Sequence, residues 1–196
     1  MLAMMCRPRR SHGFTLIELM VTLAIAAILL FLAVPSFVSY QKNTQLTSAA
    51  NSLLAAINAA RGEALKRGMS VIVVPTGNGS DWTKGWVVVV DKNTPRTYTA
   101  TEANTVFTQA KVPSGISITG TGIASGSEPY ILFDASGYSK TKTGGFGALS
   151  ISFGREGVAA ADGYRQTREI KIASTGRVRI CTPESATDTK CSYTGD

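Results

Sequence analysis

The sequence predicts an α+β protein in which one long N-terminal helix packs on a C-terminal antiparallel β-sheet domain. Residues 14–68 contain an apolar segment followed by apolar residues at helical spacing. From residue 69 to residue 196, short apolar runs alternate with turn-forming Gly, Pro, Asn, Asp and Ser, which is typical of antiparallel strands. The 196 residues have room for one domain and one additional element.

The composition fits a globular protein with one apolar segment. Apolar residues make up 44% of the chain and charged residues 17%, and the net charge is +7. Three of the 20 basic residues, Arg7, Arg9 and Arg10, precede the first apolar run. Without them 17 basic and 13 acidic residues remain, a net charge of +4. An excess of this size allows an anionic partner but does not require one.

Residues 14–34 form the apolar run and predict a transmembrane helix. Glu18 is the only charged residue in this segment, which spans about 32 Å as a helix and so matches the hydrocarbon core of a bilayer. The basic leader, residues 1–13, is expected to stay in the cytoplasm, which places the remaining chain in the periplasm or outside.

Three interpretations of this segment compete. A conventional signal peptide needs a cleavage region after the apolar run, but here Pro35 leads into a second helical pattern. A plain signal anchor explains the length but not Glu18, because a carboxylate inside the hydrocarbon costs several kcal/mol unless it is paired.

The third interpretation rests on a motif. The start of the segment resembles the prepilin signature of type IV pilins and type II secretion pseudopilins in the string Gly13-Phe14-Thr15-Leu16-Ile17-Glu18. The resemblance implies that a prepilin peptidase cuts after Gly13 and methylates the new amino terminus at Phe14. Glu18 and Pro35 then occupy the fifth and twenty-second mature positions, as in the family.

The resemblance also gives Glu18 and Pro35 roles in assembly. The new α-amine of Phe14 is cationic near neutral pH, and Glu18 is the only acid near it. In a filament, Glu18 of one subunit would pair with the amine of its neighbour and so fix the helix register. Pro35 removes one helical hydrogen bond, so we expect a kink or a short melted stretch there.

An amphipathic stripe continues the helix beyond Pro35. Its members recur at spacings of three and four residues and comprise Leu46, Ala50, Leu53, Ile57, Ala60 and Ala64. Polar residues lie off the stripe, among them Asn43 and Arg61. The helix is expected to end near residues 66–68, where two cations precede a capping glycine.

The β domain is predicted from eight short apolar runs, and the sequence leaves open whether they form one sheet or two. The runs are 71–74, 86–90, 105–112, 116–119, 130–133, 148–153, 168–173 and 177–181. Much of the Gly- and Thr-rich stretch 120–147 is expected to form variable loops.

Within the pilin superfamily, the layout resembles minor pilins and pseudopilins of the FimT/FimU/GspH group. The likeness is carried by residues 60–68 (ARGEALKRG), 85–91 (GWVVVVD), 131–133 (ILF) with Gly137, and 174–181 (STGRVRIC). It implies a type IV pilin-like fold and a low-copy subunit near the filament tip.

The cysteines predict one disulfide. Cys6 lies in the leader, which leaves Cys181 and Cys191, ten residues apart in an exported chain. Two reduced thiols or half of a metal site are the alternatives. A metal site lacks partners, because the only histidine, His12, is also in the leader.

The sequence argues against an enzyme. The loss of His12 removes the commonest general base, and there is no phosphate-binding glycine motif and no pair of carboxylates within one motif. No catalytic residue, cofactor or metal is expected.

A basic patch near the C-terminus suggests a ligand. Arg177 and Arg179 would project from one face of a strand and form a phosphate-binding pair. Arg168, Lys171 and Lys190 lie nearby in sequence. The pattern Gly176-Arg177-x-Arg179 resembles the GRxR motif with which the FimT branch binds DNA during natural transformation.

Two other interpretations of the patch remain open. The arginines would pair with Glu169, Glu184 or Asp188 and solvate an edge strand, or they would contact the next minor pilin. DNA binding, if present, is expected to be weak, sequence-independent and salt-dependent.

The sequence as a whole predicts a minor type IV pilin that helps initiate pilus assembly. The alternatives are a DNA-binding minor pilin for transformation and a GspH-like pseudopilin of a type II secretion system. The expected partners are other pilins, the prepilin peptidase, the inner membrane and double-stranded DNA. The chain would be a single-pass inner-membrane protein before assembly and part of an extracellular pilus afterwards.

Overall fold

The computed structural model describes residues 13–76, 79–91, 105–158, 163–185, 187, 188, 190 and 191. The predicted leader, apart from Gly13, lies outside these residues. One helix, α1 (Leu16–Arg67), is followed by eight strands: β1 (Val71–Pro75), β2 (Trp86–Val90), β3 (Thr105–Gln109), β4 (Ile116–Gly120), β5 (Ile131–Phe133), β6 (Leu149–Arg155), β7 (Thr167–Ile172) and β8 (Val178–Cys181). The α+β class and all eight predicted strands are confirmed.

The first part of α1, up to Gln41, forms a structural unit of its own. Every large apolar side chain from Phe14 to Val38 is exposed. This helix is long and apolar enough to cross a membrane, with a mean hydropathy of 2.7 in its most apolar window. It continues through Pro35 without a break, so of the two expected outcomes, a kink or a short melted stretch, the melted stretch is excluded. Proline forfeits one hydrogen bond but keeps a helical φ, and the turns on either side retain their bonds.

The second unit begins at Lys42 and contains the rest of α1 and both sheets. The predicted stripe is confirmed, because all six of its members are completely buried in the main core. The helix ends as expected: Gly68 has a φ of 63°, and the Met69 N–H donates to the Ala64 carbonyl at 3.3 Å. This is the Schellman arrangement, which satisfies a carbonyl in the last turn.

The strands form two four-stranded antiparallel sheets. The first has the order β3-β2-β1-β5 and the second the order β4-β6-β7-β8. Large side chains from both sheets, including Trp86, Phe133, Phe153 and Ile170, lie in the main core with the α1 stripe. Strands β1 and β2 are buried throughout, so their sequences are continuously apolar instead of alternating.

Residues 134–147 are more regular than the expected variable loops. Two isolated bridges, Phe133 with Ser139 and Lys140 with Phe146, continue the antiparallel pairing past β5. The first turn is closed by Asp134, whose carboxylate accepts bonds from two backbone N–H groups. The expectation of plain loops failed here because the pairing depends on contacts with β5, which the Gly- and Thr-rich composition does not reveal.

Candidate functional site

The start of α1 has a defined cap. Gly13, Phe14 and Thr15 precede the helix in an exposed segment. The Thr15 hydroxyl accepts a bond from the Glu18 N–H at 3.2 Å, and the Leu19 N–H donates to the Thr15 carbonyl. Glu18 therefore occupies the third helical position of a Thr-x-x-Glu capping pattern, where a negative charge is also favoured by the helix dipole. The sequence interpretation missed this pattern, although the spacing contains it.

The basic residues near the C-terminus are brought together by β7 and β8. Lys171 and Arg179 lie directly opposite each other in the register of these strands. Both side chains donate to the backbone carbonyl of Lys190, at 3.4 Å and 3.2 Å respectively. We call Lys171 and Arg179 the cation cluster; Lys190 contributes its backbone carbonyl to it. Like charges at opposed positions repel each other, so the cluster favours an anion.

A short loop holds Lys190 against the strands. Cys181 and Cys191 form a disulfide with a Cα–Cα distance of 5.9 Å, which confirms the predicted pairing. Within the loop the Asp188 carboxylate accepts bonds from the N–H groups of Glu184, Lys190 and Cys191. The Glu184 N–H is the main cause that lowers the pKa of Asp188 below its ordinary value.

Arg177 and Arg179 do not pair with acids within the described residues. The ion pairs there involve other side chains, and neither Glu169, Glu184 nor Asp188 contributes one to these arginines. Arg177 is exposed, and its side chain makes no hydrogen bond in the described part of the chain. The acid-paired interpretation of this patch is therefore wrong for the residues that the structure describes.

Arg168 lies apart from the cation cluster. Two positions before the buried Ile170, it faces the opposite side of β7 from Lys171. It donates to the Asn43 side chain at 2.9 Å and to two backbone carbonyls, and burial lowers its pKa. Arg168 fastens β7 to α1, so the structure removes it from the candidate binding residues.

Gly176 in the basic motif has a structural reason to be glycine. Its φ is 77°, and a Cβ atom there would lie 1.9 Å from the Gly137 carbonyl oxygen. The same oxygen accepts a bond from Arg61 Nε at 3.1 Å, and Arg61 also donates to the Thr175 carbonyl at 3.5 Å. The turn that presents Arg177 is thereby attached to α1.

One exposed surface was missed by the sequence interpretation. The rings of Tyr138 and Phe146 meet edge to face at 5.7 Å, and the Lys140 ammonium lies 3.5 Å from the Phe146 centroid. The available signal was the alternation of Tyr138 and Lys140 before a Gly-Gly turn. The sequence interpretation overlooked this alternation because the surrounding segment is rich in Gly and Thr.

The outer face of α1 in the second unit is lined by small, mostly polar residues. It borders an open groove of about 570 Å³ whose lining contains no charged side chain: Asn43, Thr44, Thr47, Ser48, Asn51, Ser52 and Ala55. Small side chains let another helix approach closely. No group of three or more potential metal ligands occurs among the described residues.

Comparisons with known proteins agree with this geometry. Residues 49–191 match the family model described as "Type II transport protein GspH", and residues 8–34 match the "Prokaryotic N-terminal methylation motif". No curated protein matches the chain.

Solved structures share the fold. The type IV minor pilin FimU of Pseudomonas aeruginosa superposes with a TM-score of 0.54 at 18% identity, covering 74% of this chain and 98% of that one. The minor pseudopilin EpsH from the type 2 secretion system of Vibrio cholerae gives 0.51 at 12% identity, covering 72% and 99%.

An apolar helix that begins at a methylation motif, followed by a two-sheet domain packed on its second half, defines a pilin-like subunit. Because the family model spans most of the chain, this protein belongs to the GspH family of minor pilins and pseudopilins.

Proposed function

We propose that this protein is a minor type IV pilin that is cleaved after Gly13, methylated at Phe14 and incorporated near the pilus tip, where it helps initiate assembly. The observation that carries this proposal is the exposed apolar helix that starts at Leu16, where Thr15 caps it. In the membrane this helix would anchor the subunit with its C-terminal domain in the periplasm. In the filament it would pack among the helices of other pilins.

Assembly is also supported by the outer face of α1 in the second unit. The groove residues there are small and uncharged, so a neighbouring pilin helix would meet no buried charge. A pseudopilin of a type II secretion system would use the same exposed apolar helix and the same outer face of α1. Deletion of the gene distinguishes the two roles. Loss of a pilin should remove surface pili from the sheared fraction, whereas loss of a pseudopilin should remove secreted enzymes from the medium.

Processing is tested by membrane fractionation followed by mass spectrometry of the N-terminal peptide. We expect a mature chain that begins with N-methylated Phe14, and a Gly13→Val precursor that keeps residues 1–13. Phe107→Leu, far from the motif in sequence, is a control that should be processed normally. A mature N-terminus at any other residue would contradict the proposal.

Duplex DNA binding is a second candidate function, favoured by the opposed cations Lys171 and Arg179, whose side chains share the Lys190 carbonyl. Two cations at directly opposite positions, one on β7 and one on the neighbouring edge strand β8, gain from a bridging phosphate. Arg177 directly precedes β8, is exposed, and would add a further phosphate contact. Binding of this type is independent of base sequence and weakens with salt.

The DNA candidate is tested by gel-shift titration of the full-length mature chain in detergent across a salt series. Replacing Arg177 and Arg179 by Gln should weaken binding and lower the salt slope by about one per lost phosphate contact. The matched control removes two exposed lysines near Asp81, with Lys84→Gln and Lys111→Gln, and should keep the slope. Absence of binding by wild type at low salt would eliminate this candidate.

A further inference from the structure

Two exposed aromatic rings lie on one face of the segment that follows β5. Tyr138 and Lys140 alternate along the chain, and Lys140 pairs across the segment with Phe146, so all three project from the same side. Tyr138 is 42% exposed and Phe146 64% exposed. We call Tyr138, Lys140 and Phe146 the aromatic ledge. The two rings adjoin each other and so form a contiguous exposed apolar patch, in contrast to single exposed side chains, which need no explanation.

Lys140 holds the Phe146 ring in place from one side. Its ammonium lies 3.5 Å from the ring centroid and 3.8 Å from Asp134 Oδ2, and its side chain is only 16% exposed. The Phe146 ring is also held by its edge-to-face contact with the Tyr138 ring. A ring that is already fixed loses little conformational entropy when a flat ligand stacks on its open surface.

The aromatic ledge adjoins the basic turn that carries Arg177. The Ser139 N–H donates to the Ser174 carbonyl at 3.1 Å. On the other side of Tyr138, Gly137 is in close backbone contact with Gly176. Tyr138 is thus flanked on both sides by backbone contacts with the turn at residues 174–177, and this turn also carries the exposed Arg177.

This combination of chemistry points to one class of ligand. We propose that the aromatic ledge and Arg177 bind single-stranded nucleic acid, with an unpaired base stacked on Phe146 and Arg177 on a flanking phosphate. A duplex hides the faces of its bases, whereas a single strand offers both faces and phosphates. The charges near the aromatic ledge also favour an anionic ligand. The acids Asp134 and Glu128 are each paired with a lysine, whereas Arg177 is not paired within the described residues.

The inference rests on the DNA-binding candidate function and deepens it, because the cation cluster would hold either kind of strand. Its test is fluorescence anisotropy with the full-length mature chain in detergent micelles. The probes are a labelled oligothymidylate and a duplex of equal length, each at low and at moderate salt. The variants are Phe146→Leu and Arg177→Gln. Phe107→Leu is the matched control, since Phe107 is an exposed ring on β3, at the other edge of the same sheet.

We expect wild type to bind the single strand more tightly than the duplex. Phe146→Leu should weaken single-strand binding by about tenfold, the effect of losing one stacked base, and leave duplex binding unchanged. Arg177→Gln should weaken both, and Phe107→Leu neither.

Four outcomes would overturn the inference. Equal affinities for both probes, or an unaffected Phe146→Leu variant, would refute base stacking while duplex binding stands. Binding of neither probe would refute the DNA function itself. If Phe146→Leu binds DNA normally but fails to enter filaments, the aromatic ledge is a contact between subunits.

Discussion

Gly176 and Gly137 are in backbone contact, and a Cβ atom on Gly176 would lie 1.9 Å from the Gly137 carbonyl oxygen. This contact joins the turn that presents Arg177 to the segment that presents Tyr138. The same Gly137 oxygen accepts the Arg61 Nε–H, so a helix residue fixes both. The proposed binding surface, which is built from these two loops, is therefore anchored at one carbonyl.

Replacement of Gly176 by Ala should destabilise the second unit by about 2 to 4 kcal/mol, because the new methyl group clashes with backbone and the positive φ becomes strained. Gly157→Ala is the matched control, since its φ of 74° is similar but its Cβ would meet open space. It should cost only about 1 kcal/mol. Urea unfolding of the mature chain in detergent measures both, and equal losses would show that the contact is unimportant.

Glu18→Gln separates the place of Glu18 in the capping pattern from its proposed pairing with a neighbouring subunit. Gln retains the capping pattern with Thr15 but carries no charge. If Glu18 pairs with the amine of a neighbouring subunit, Glu18→Gln and Glu18→Val precursors should both be cleaved yet enter filaments several-fold less well. Thr15→Ala, which removes only the cap and about 1 kcal/mol, should have a smaller effect. Immunoblots of sheared filaments give the readout, and normal incorporation of Glu18→Gln would contradict the pairing.

The loop closed by Cys181 and Cys191 should loosen in acid. Hydrogen bonds to the Asp188 carboxylate, first that from the Glu184 N–H, lower its pKa in the folded state. A lowered folded pKa gives a contribution to stability that is complete above about pH 4 and is lost as the pH falls through the folded value.

Hydrogen-exchange protection of the Lys190 and Cys191 amides measures this loss. Protection should stay constant from neutral pH to about pH 4 and then fall. Asp188→Asn should give lower protection without that pH dependence. A wild-type loop that keeps full protection well below this pH would show that the carboxylate is not what orders it.

Truncation of the α1 stripe should be costly. Leu53 is completely buried, so Leu53→Ala should cost about 2 to 5 kcal/mol through lost burial and a residual cavity. Leu65 lies on the same helix but is 53% exposed, and Leu65→Ala should cost less than about 1 kcal/mol. Thermal unfolding followed by circular dichroism compares them, and similar values would argue that the stripe is not the core.

Local patterns in the sequence predicted much of this structure. The α1 stripe follows from helical spacing, the end at Arg67 from Gly68, and the eight strands from short apolar runs between turn residues. These features depend on neighbours in the sequence, so a single chain reveals them. The disulfide followed from the small number of cysteines.

What the sequence did not reveal depends on contacts between distant segments. The division into two sheets requires β5 to pair with β1, and no local pattern encodes that choice. The expectation of a melted stretch at Pro35 was wrong because the helical turns on either side of the proline continue the helix. Arg168 is different: it lies two residues before Ile170, so period-two alternation already placed it on the buried face.

The position of the disulfide has a consequence for the timing of maturation. Cys191 directly follows Lys190, so the bond to Cys181 keeps the Lys190 carbonyl beside Lys171 and Arg179. A precursor in a reducing cytoplasm would lack this tether. Under the proposed DNA-binding function and periplasmic orientation, the anion-binding geometry would be completed only after export, and the newly made subunit would not bind the cell's own chromosome.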